Sequence, residues 1–198
     1  MMQTAKAGVR ETACLQGYGM DVATKVVEFW TNAGPQQWFT RDDAFDARFR
    51  ELFLDEHYAA AKRAREHWLV SAEGALALMI LLDQFPRNCF RDTAHSYATD
   101  GLARHYAMRA VEEGLDLELV PKLRAFIYLP FEHSEDPQDQ ERSVAMFDAL
   151  GDKEYLQYAE LHRDIIRRFG RFPHRNAVLG RMPTPEELDY LAEGGFSG

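Results

Sequence analysis

Residues 72–88 have the sequence AEGALALMILLDQFPRN, and this stretch indicates the fold class of the chain. Within it, Ala75–Leu82 is apolar on every side of a helix, and such a helix needs neighbours that cover it on several sides. Ala125–Phe131 forms a second run of the same character. We therefore expect these two helices to lie at the centre of an all-α core.

Helical periodicity continues on both sides of this stretch. Val22, Val26 and Phe29 recur at helical spacing, and no comparable segment shows the strict alternation that is typical of strands. Capping residues and helix breakers predict eight helices, over residues 21–33, 41–67, 72–85, 99–113, 118–133, 137–150, 152–169 and 185–193. The short connections between them favour antiparallel packing.

Three helix starts are marked by their capping residues. Thr40 stands three residues before Asp43, and the run Thr184–Glu187 has the order of a capping box with a proline at the first helical position. Asp136 precedes a proline and is typical of an N-cap. These positions predict where the second, the sixth and the last of the helices begin.

Length and composition predict one folded domain. The chain has 198 residues, of which 46% are hydrophobic and 28% are charged, a balance typical of globular proteins. The amphipathic pattern begins directly after Met20. We therefore predict a single all-α domain over residues 20–198, preceded by an N-terminal extension over residues 1–19.

Charge and cysteine content limit the partners and the compartment. A formal net charge of −9 disfavours nucleic acids and anionic membranes as partners. Met1–Met20 contains no apolar run of the length that a signal peptide or a membrane-spanning helix needs. The two cysteines, Cys14 and Cys89, are typical of reduced thiols rather than of a disulfide framework. We expect a cytoplasmic protein.

Ionisable side chains occur where the helical pattern predicts a buried face. Asp83 lies on the same face as Met79, so its carboxylate needs a partner. Arg87 follows four residues later, and Arg171 and Arg175 lie beyond a helix end, where a guanidinium could bind a carboxylate with two hydrogen bonds. The sequence leaves open whether these groups form an internal ion-pair network or a ligand site.

Three histidines lie near these charged residues. His162 shares an apolar helical face with Ile166, which is typical of a core histidine, whereas His133 and His174 fall at helix ends. Together they would permit acid–base chemistry. No two histidines in the sequence are three or four residues apart, and no CxxC pair occurs, so we expect no structural metal site.

The segment 163–181 differs from the rest of the chain in charge. It contains six arginines and one aspartate, a local charge of +5, so the remaining residues carry −14. These arginines either build an anion site or pair with carboxylates elsewhere in the fold. Within the same region, Phe172–Asn176 repeats the Phe-Pro and Arg-Asn pairs of Phe85–Asn88, and we expect each proline to end a helix.

Common catalytic and nucleotide-binding motifs are absent from the sequence. It contains no GxSxG, Walker or GxGxxG motif, and the strands that give those motifs their context are not predicted. Motifs therefore assign neither a catalytic residue nor a cofactor.

Longer strings resemble those of a known family. Over nearly its whole length the chain is similar to the bacterial domain-of-unknown-function family 924. The strings that carry the resemblance are Val26–Trp30, Trp38–Phe39, Leu81–Asn88, Tyr128–Asp136, His162–Ile166 and Phe169–Arg181.

The resemblance implies a tetratricopeptide-like helical array that is curled into one compact domain. It implies no catalytic residue, substrate or cofactor, because none is established for the family. Residues 1–19 lie outside the usual match. The sequence itself shows no clean tetratricopeptide repeat of about 34 residues.

We expect a binding or interaction module whose pocket accepts a small anionic ligand or an acidic peptide. The arginines, histidines, carboxylates and amides that would form this pocket are Asp83, Arg87, Asn88, Glu132, His133, Glu135, His162, Arg171, His174, Arg175 and Asn176.

Two alternatives remain open at the level of sequence. The first is an enzyme, with or without a metal ion, in which an arginine stabilises negative charge and His133 or His162 acts as general base. The carboxylates that could orient this base are Glu132, Glu135 and Asp164. The second alternative is a buried polar network that is purely structural.

Overall fold

The structure, a computed structural model, describes residues 21–198, and over this range the chain is all-α and contains no strand. The predicted fold class is confirmed. The predicted extension 1–19 and Cys14 lie outside the described residues. The division into an extension and one domain, and the tetratricopeptide-like arrangement, stay predictions.

The chain folds into α-helices with short 3-10 turns between some of them. The α-helices are α1 (Val22–Ala33), α2 (Pro35–Trp38), α3 (Asp43–Ala61), α4 (Ala72–Met79), α5 (Phe85–Cys89), α6 (Asp100–Glu112), α7 (Pro121–Glu132), α8 (Pro137–Leu150), α9 (Lys153–Phe169) and α10 (Pro185–Ala192). The 3-10 turns are Glu66–Val70, Ala94–Tyr97, Leu115–Glu118 and Pro173–Arg175, and a π-helical segment, Ile80–Gln84, joins α4 to α5.

Each predicted helix has a counterpart, but the capping residue predicted for the second helix is wrong. The predicted helix 41–67 corresponds to the shorter α3, whose N-cap is Asp42, with a carboxylate that accepts hydrogen bonds from the next helical N–H groups. Thr40 does not cap α3, because its hydroxyl donates to the Gln36 carbonyl instead. The four residues of α2 were too few to show a period.

The other two capping predictions are confirmed. Thr184 and Glu187 form a reciprocal capping box at the start of α10. Asp136 accepts a hydrogen bond of 2.8 Å from the Gln138 N–H at the start of α8. Both devices satisfy N–H groups that have no partner inside their helix.

The two apolar runs form the centre of the core, as predicted. Ala75–Leu82 is fully buried, and every residue of Ala125–Phe131 is buried. α4 packs against α1, α6 and α7, and α7 also contacts α8 and α9. The rings of Trp30 and Phe126 meet edge to face at 5.4 Å, which ties α1 to α7.

A second, smaller core lies beside α9. Its buried members are Ile165, Ile166 and Phe172, and its half-buried members are Phe169, Tyr190 and Phe196. This core holds the segment after α9, together with α10, against the rest of the chain. No helix within residues 21–198 combines the length and the apolar character that crossing a membrane requires.

Pro86 does not end its helix, contrary to the prediction. The chain runs from α4 through the π-helical segment into α5, in which Pro86 is the second residue. A proline inside a regular α-helix lacks one N–H and its ring clashes with the preceding turn, and the wider π turn removes this conflict. The carbonyls of this segment accept side-chain hydrogen bonds, Leu81 from His57, Leu82 from Thr99 and Asp83 from Arg87.

Candidate functional site

Asp83 is fully buried at the end of the π-helical segment, where three side chains bind its carboxylate. His133 Nδ1 lies 2.8 Å from Oδ1 and 3.0 Å from Oδ2. Arg87 Nη1 lies 3.0 Å from Oδ1, and Gln84 Nε2 donates to Oδ2 at 2.6 Å. Burial opposes ionisation, but Arg87 and His133 outweigh it and lower the pKa of Asp83 to about 2. The group is therefore a carboxylate at neutral pH.

Asp100, the first residue of α6, joins the arginines of the two Phe-Pro segments. Arg87 donates to both Asp100 oxygens, from Nη1 and Nη2, at 3.0 Å each. Arg175 Nη1 lies farther away, 3.5 Å from Oδ2. The two segments therefore converge, as a shared site requires. Asp83, Arg87, Asp100, His133 and Arg175 are called the central cluster below.

Arg175 is held firmly but is incompletely paired. Its guanidinium carbon lies 4.6 Å from the ring centroid of Tyr97 and 4.3 Å from that of Phe172. Nη1 donates to the backbone carbonyl of His133 at 3.0 Å, whereas the buried Nε has no hydrogen-bond partner among residues 21–198. Burial and the nearby Arg87 lower the pKa of Arg175 to about 10, so it remains a cation at neutral pH.

Asp83 fixes the orientation and the tautomer of His133. A carboxylate only accepts hydrogen bonds, so Nδ1 carries the proton and Nε2 is the basic nitrogen of the neutral ring. Burial and Arg87 lower the pKa of His133, although Asp83 opposes them. In the enzyme hypothesis, Asp83 therefore takes the orienting role that the sequence analysis gave to Glu132, Glu135 or Asp164.

His162 and Glu132 are both buried beside the central cluster. His162 Nδ1 donates to the Tyr158 carbonyl at 2.8 Å and lies 3.5 Å from Glu132 Oε1. Burial, with a contribution from His133, lowers the pKa of His162 to about 3. Burial and the charge of Asp83 raise the pKa of Glu132 to about 8, and its Oε2 has no partner in the described chain. Both groups are mainly uncharged at neutral pH.

His174 lies between the small core and the central cluster. Its ring centroid is 5.7 Å from that of Phe172 and 5.3 Å from that of Phe196, which also lies 4.6 Å from the ring of His162. Burial and the charge of Arg175 lower the pKa of His174 to about 4. Its buried Nδ1 has no partner within residues 21–198. Phe196 therefore covers two of the three predicted site histidines.

Asn88 and Arg171 belong to other networks, although the sequence analysis placed them in the site. Asn88 Nδ2 donates to Asp46 in α3 at 2.8 Å. It directly follows Arg87, and consecutive residues on a helix point about 100° apart, so the two side chains face different neighbours. Arg171 binds both oxygens of Glu187 at 2.6 and 2.7 Å, which anchors the start of α10.

Glu135 and Asn176 also form contacts outside the central cluster. Glu135 accepts two hydrogen bonds from Arg181, at 2.7 and 3.0 Å, and one from the Phe172 N–H at 2.8 Å. Burial alone would raise the pKa of Glu135, but these hydrogen bonds outweigh it and lower the pKa. Asn176 is buried at the end of the 3-10 turn, where its carbonyl accepts from the Arg181 N–H. Both residues fix the loop that carries Arg175.

The other arginines of segment 163–181 are paired with carboxylates. Arg163 pairs with Asp164, Arg167 with Glu141 and Arg168 with Glu186. This agrees with the alternative in which the arginines of this segment pair with carboxylates elsewhere in the fold rather than build one large anion site. Within the described chain, Arg175 is the arginine of this stretch that reaches the central cluster.

Sequence reasoning missed Asp100 and Tyr97. Asp100 has the appearance of an ordinary acidic residue in the first turn of a helix, so nothing in the local pattern separates it from a capping or dipole role. Tyr97 lies in a short 3-10 turn without a period. A histidine pair outside the site was missed as well, in which Nε2 of the buried His57 lies 2.9 Å from Nε2 of the half-buried His95.

The central cluster is only narrowly open to solvent. The exposed fractions of the Arg87, Asp100 and His133 side chains are 19%, 18% and 14%. Two surface pockets of the described chain are lined by other residues, one by α3 and one by α6, α7 and α8. Within residues 21–198, no three His, Cys, Asp or Glu side chains are grouped so that they could hold a metal ion. Cys89 is a free thiol.

Comparisons with known proteins agree with the resemblance seen in the sequence. A solved structure of a protein of unknown function from Agrobacterium tumefaciens is 55% identical, covers 87% of this chain and 97% of its own, and superimposes with a TM-score of 0.85. Comparison with curated proteins gives no match. The family profile described as bacterial protein of unknown function (DUF924) matches residues 26–195. The chain therefore belongs to the DUF924 family of bacterial proteins.

Proposed function

We propose that the chain binds a small anionic ligand, a carboxylate or a phosphate, at the open side of the central cluster. The observation that carries this proposal is the state of Arg175. The cation is clamped between two aromatic rings, yet its buried Nε has no partner in the described chain. Buried donors are nearly always satisfied, so an unused donor on a fixed cation calls for a partner, and we assign that partner to a ligand.

The division of Asp100 between the two arginines supports the same proposal. Arg87 takes both carboxylate oxygens at 3.0 Å, and Arg175 is left with one oxygen at 3.5 Å. Arg175 therefore lacks the two-oxygen pairing that Arg87 has, and an added anion would supply further acceptors to it. His133 Nε2 and His174 Nδ1 are two further polar atoms nearby that the described chain leaves available.

The narrow opening favours a ligand of few atoms. Arg175 has 7% of its side chain exposed, and Phe196 covers the histidines next to it. A peptide would need a wider groove, so the small anion is the better candidate of the two that the sequence suggested. The cluster of shifted pKa values supports a functional site, because such shifts gather at sites where ionisable groups are held in unusual surroundings.

Acetate and phosphate titrations followed by 15N–1H NMR test this proposal. We expect both anions to shift the resonances of the central cluster, and Arg175→Lys to weaken binding about tenfold or more, because a lysine cannot reproduce the Nε–H. Arg171→Lys, which alters the Glu187 pair in the same segment, is the matched control and should bind as wild type does. Equal affinity of folded Arg175→Lys, or no binding by the wild type, would overturn the proposal.

A general-base enzyme is the second candidate, and one observation favours it. The buried Asp83 carboxylate binds Nδ1 of His133 and so orients the ring, and the basic Nε2 of His133 is directed away from Asp83. This candidate predicts hydrolysis of p-nitrophenyl acetate or p-nitrophenyl phosphate that His133→Gln abolishes. The variant His105→Gln, which changes an exposed histidine, should keep the full rate. Equal rates in the two variants would exclude His133 as the base.

A further inference from the structure

We infer that binding of a carboxylate anion at the central cluster is coupled to the uptake of one proton, which is held between His133 Nε2 and the anion. This inference rests on the proposed function, since it concerns the same ligand at the same site. It is carried by the hydrogen bonds of one imidazole ring.

In the free protein, Asp83 fixes the tautomer of His133. Both Asp83 oxygens lie within 3.0 Å of His133 Nδ1, and the carboxylate is fully buried. Because Asp83 can only accept, Nδ1 must donate, and a neutral imidazole has just one proton to donate. Nε2 therefore presents a lone pair.

That lone pair would contact the bound anion. An ionised carboxylate has only acceptor oxygens, and two acceptors cannot form a hydrogen bond without a proton between them. The proton is supplied either by a protonated His133 or by a ligand that binds as its acid. Either way, the complex holds one proton more than the free protein and the free anion together.

Six ionisable side chains surround His133. These groups are Asp83, Arg87, Asp100, His162, His174 and Arg175. Burial and Arg87 disfavour protonation of the free ring, so the proton has to come from solvent when the ligand arrives. An anion placed against Nε2 offsets the effect of the arginines and favours the imidazolium, whose Nδ1 keeps its bond to Asp83.

Glu132, which directly precedes His133 in the chain, titrates in the same range. Its pKa is raised to about 8 by burial and by the charge of Asp83. Below pH 7.5 it stays mainly protonated and neutral, whereas acetate is fully ionised above pH 6. Measurements between pH 6.5 and 7.5 therefore separate the proton of His133 from that of Glu132.

Calorimetric titration with acetate tests the inference. At pH 7, in PIPES, HEPES and imidazole buffers, we expect the binding heat to change linearly with the ionisation enthalpy of the buffer. The slope should correspond to about one proton taken up per acetate, and the dissociation constant should rise up to tenfold per pH unit. These results come from the wild-type protein, so they do not depend on the folding of any variant.

Variants at position 133 separate the possible outcomes. His133→Gln supplies an amide donor that needs no proton, so it should bind acetate without proton uptake and without the pH dependence. His133→Asn has a shorter side chain whose amide overlaps Nδ1 rather than Nε2, so it should keep the bond to Asp83 but lose both the contact with acetate and the proton uptake. Binding by the wild type without proton uptake would overturn this inference and leave the proposed function standing. A complete absence of acetate binding would overturn both.

Discussion

Asp83 is the residue on which the central cluster depends. Its side chain is fully buried, and an ionised carboxylate in that position is stable only with partners on every side. Helical spacing predicted the Arg87 pair, because residues four apart lie on one face. It could not predict His133, which comes from a helix fifty residues later and meets Asp83 only when α7 packs against the π-helical segment.

Removing the charge of Asp83 should destabilise the fold strongly. Asp83→Asn leaves His133 and Arg87 without their buried counter-ion, and breaking such a pair costs about 3–5 kcal/mol of unfolding free energy. Asp164→Asn changes an exposed carboxylate and should cost no more than about 0.5 kcal/mol. Urea unfolding of both variants measures the difference. Similar small losses in the two variants would contradict the description of Asp83.

Glu132 should make the protein less stable as the pH rises. Its pKa is raised from 4.5 to about 8 in the folded state, so the folded chain holds a proton that the unfolded chain releases between these values. The contribution of Glu132 to the unfolding free energy is then fully present below pH 4.5, and it falls by about 1.4 kcal/mol per pH unit until pH 8. Glu132→Gln has no carboxyl group to titrate, so it should remove this loss.

Urea unfolding at pH 5, 6, 7 and 8 checks the prediction for Glu132. The difference in unfolding free energy between Glu132→Gln and wild type should grow with pH, because other titrating groups are common to both proteins. Parallel curves for the two proteins would show that the folded-state pKa of Glu132 is not raised.

At the level of elements, the π-helical segment explains how the site is positioned. Sequence patterns located α4 and its apolar surface correctly but ended the helix at Phe85, directly before Pro86. The extra width of the π turn keeps the chain helical through Pro86, so Asp83 and Arg87 project towards the same neighbours. Local propensity could not reveal this, because the segment relies on side chains from α3 and from the start of α6 to bind its carbonyls.

Thr99 should therefore stabilise the π-helical segment. Its buried hydroxyl donates to the Leu82 carbonyl, and Thr99→Val would leave that buried acceptor unpaired at a cost of about 1–3 kcal/mol. Thr93→Val is the matched control, because the Thr93 hydroxyl also donates to a backbone carbonyl but is exposed, so its loss should cost about 0.5 kcal/mol or less. Thermal or urea unfolding measures both. Equal losses would mean that the Leu82 carbonyl finds another donor.

At the level of the whole molecule, the described chain has one large core and one small core. The large core surrounds α4 and α7, whose burial was predicted from two apolar runs. The small core holds α9, α10 and the loop that carries Arg175. The sequence could identify most of the charged residues of the central cluster. It could not show that Arg87 and Arg175 come together, because this depends on how the two cores pack and on Asp100, which contacts both arginines.

The difference in size between the cores should appear in amide hydrogen exchange. α10 and the 3-10 turn Pro173–Arg175 rest on few buried apolar side chains, so they should open more often than α4 and α7. Exchange followed by mass spectrometry should show protection of α4 and α7 persisting much longer than that of α10. Equal protection of all four elements would show that the small core is not a separate region of lower stability.

The histidine 15N–1H NMR spectrum of the wild-type protein at pH 7, recorded without and with acetate, shows whether His133 takes up a proton when an anion binds. We expect a free His133 with a protonated Nδ1 and an unprotonated Nε2, as its bond to Asp83 requires. Saturating acetate should move the Nε2 resonance towards the protonated position while Nδ1 stays protonated. A free ring with its proton on Nε2, or a His133 spectrum that acetate leaves unchanged, would contradict this expectation.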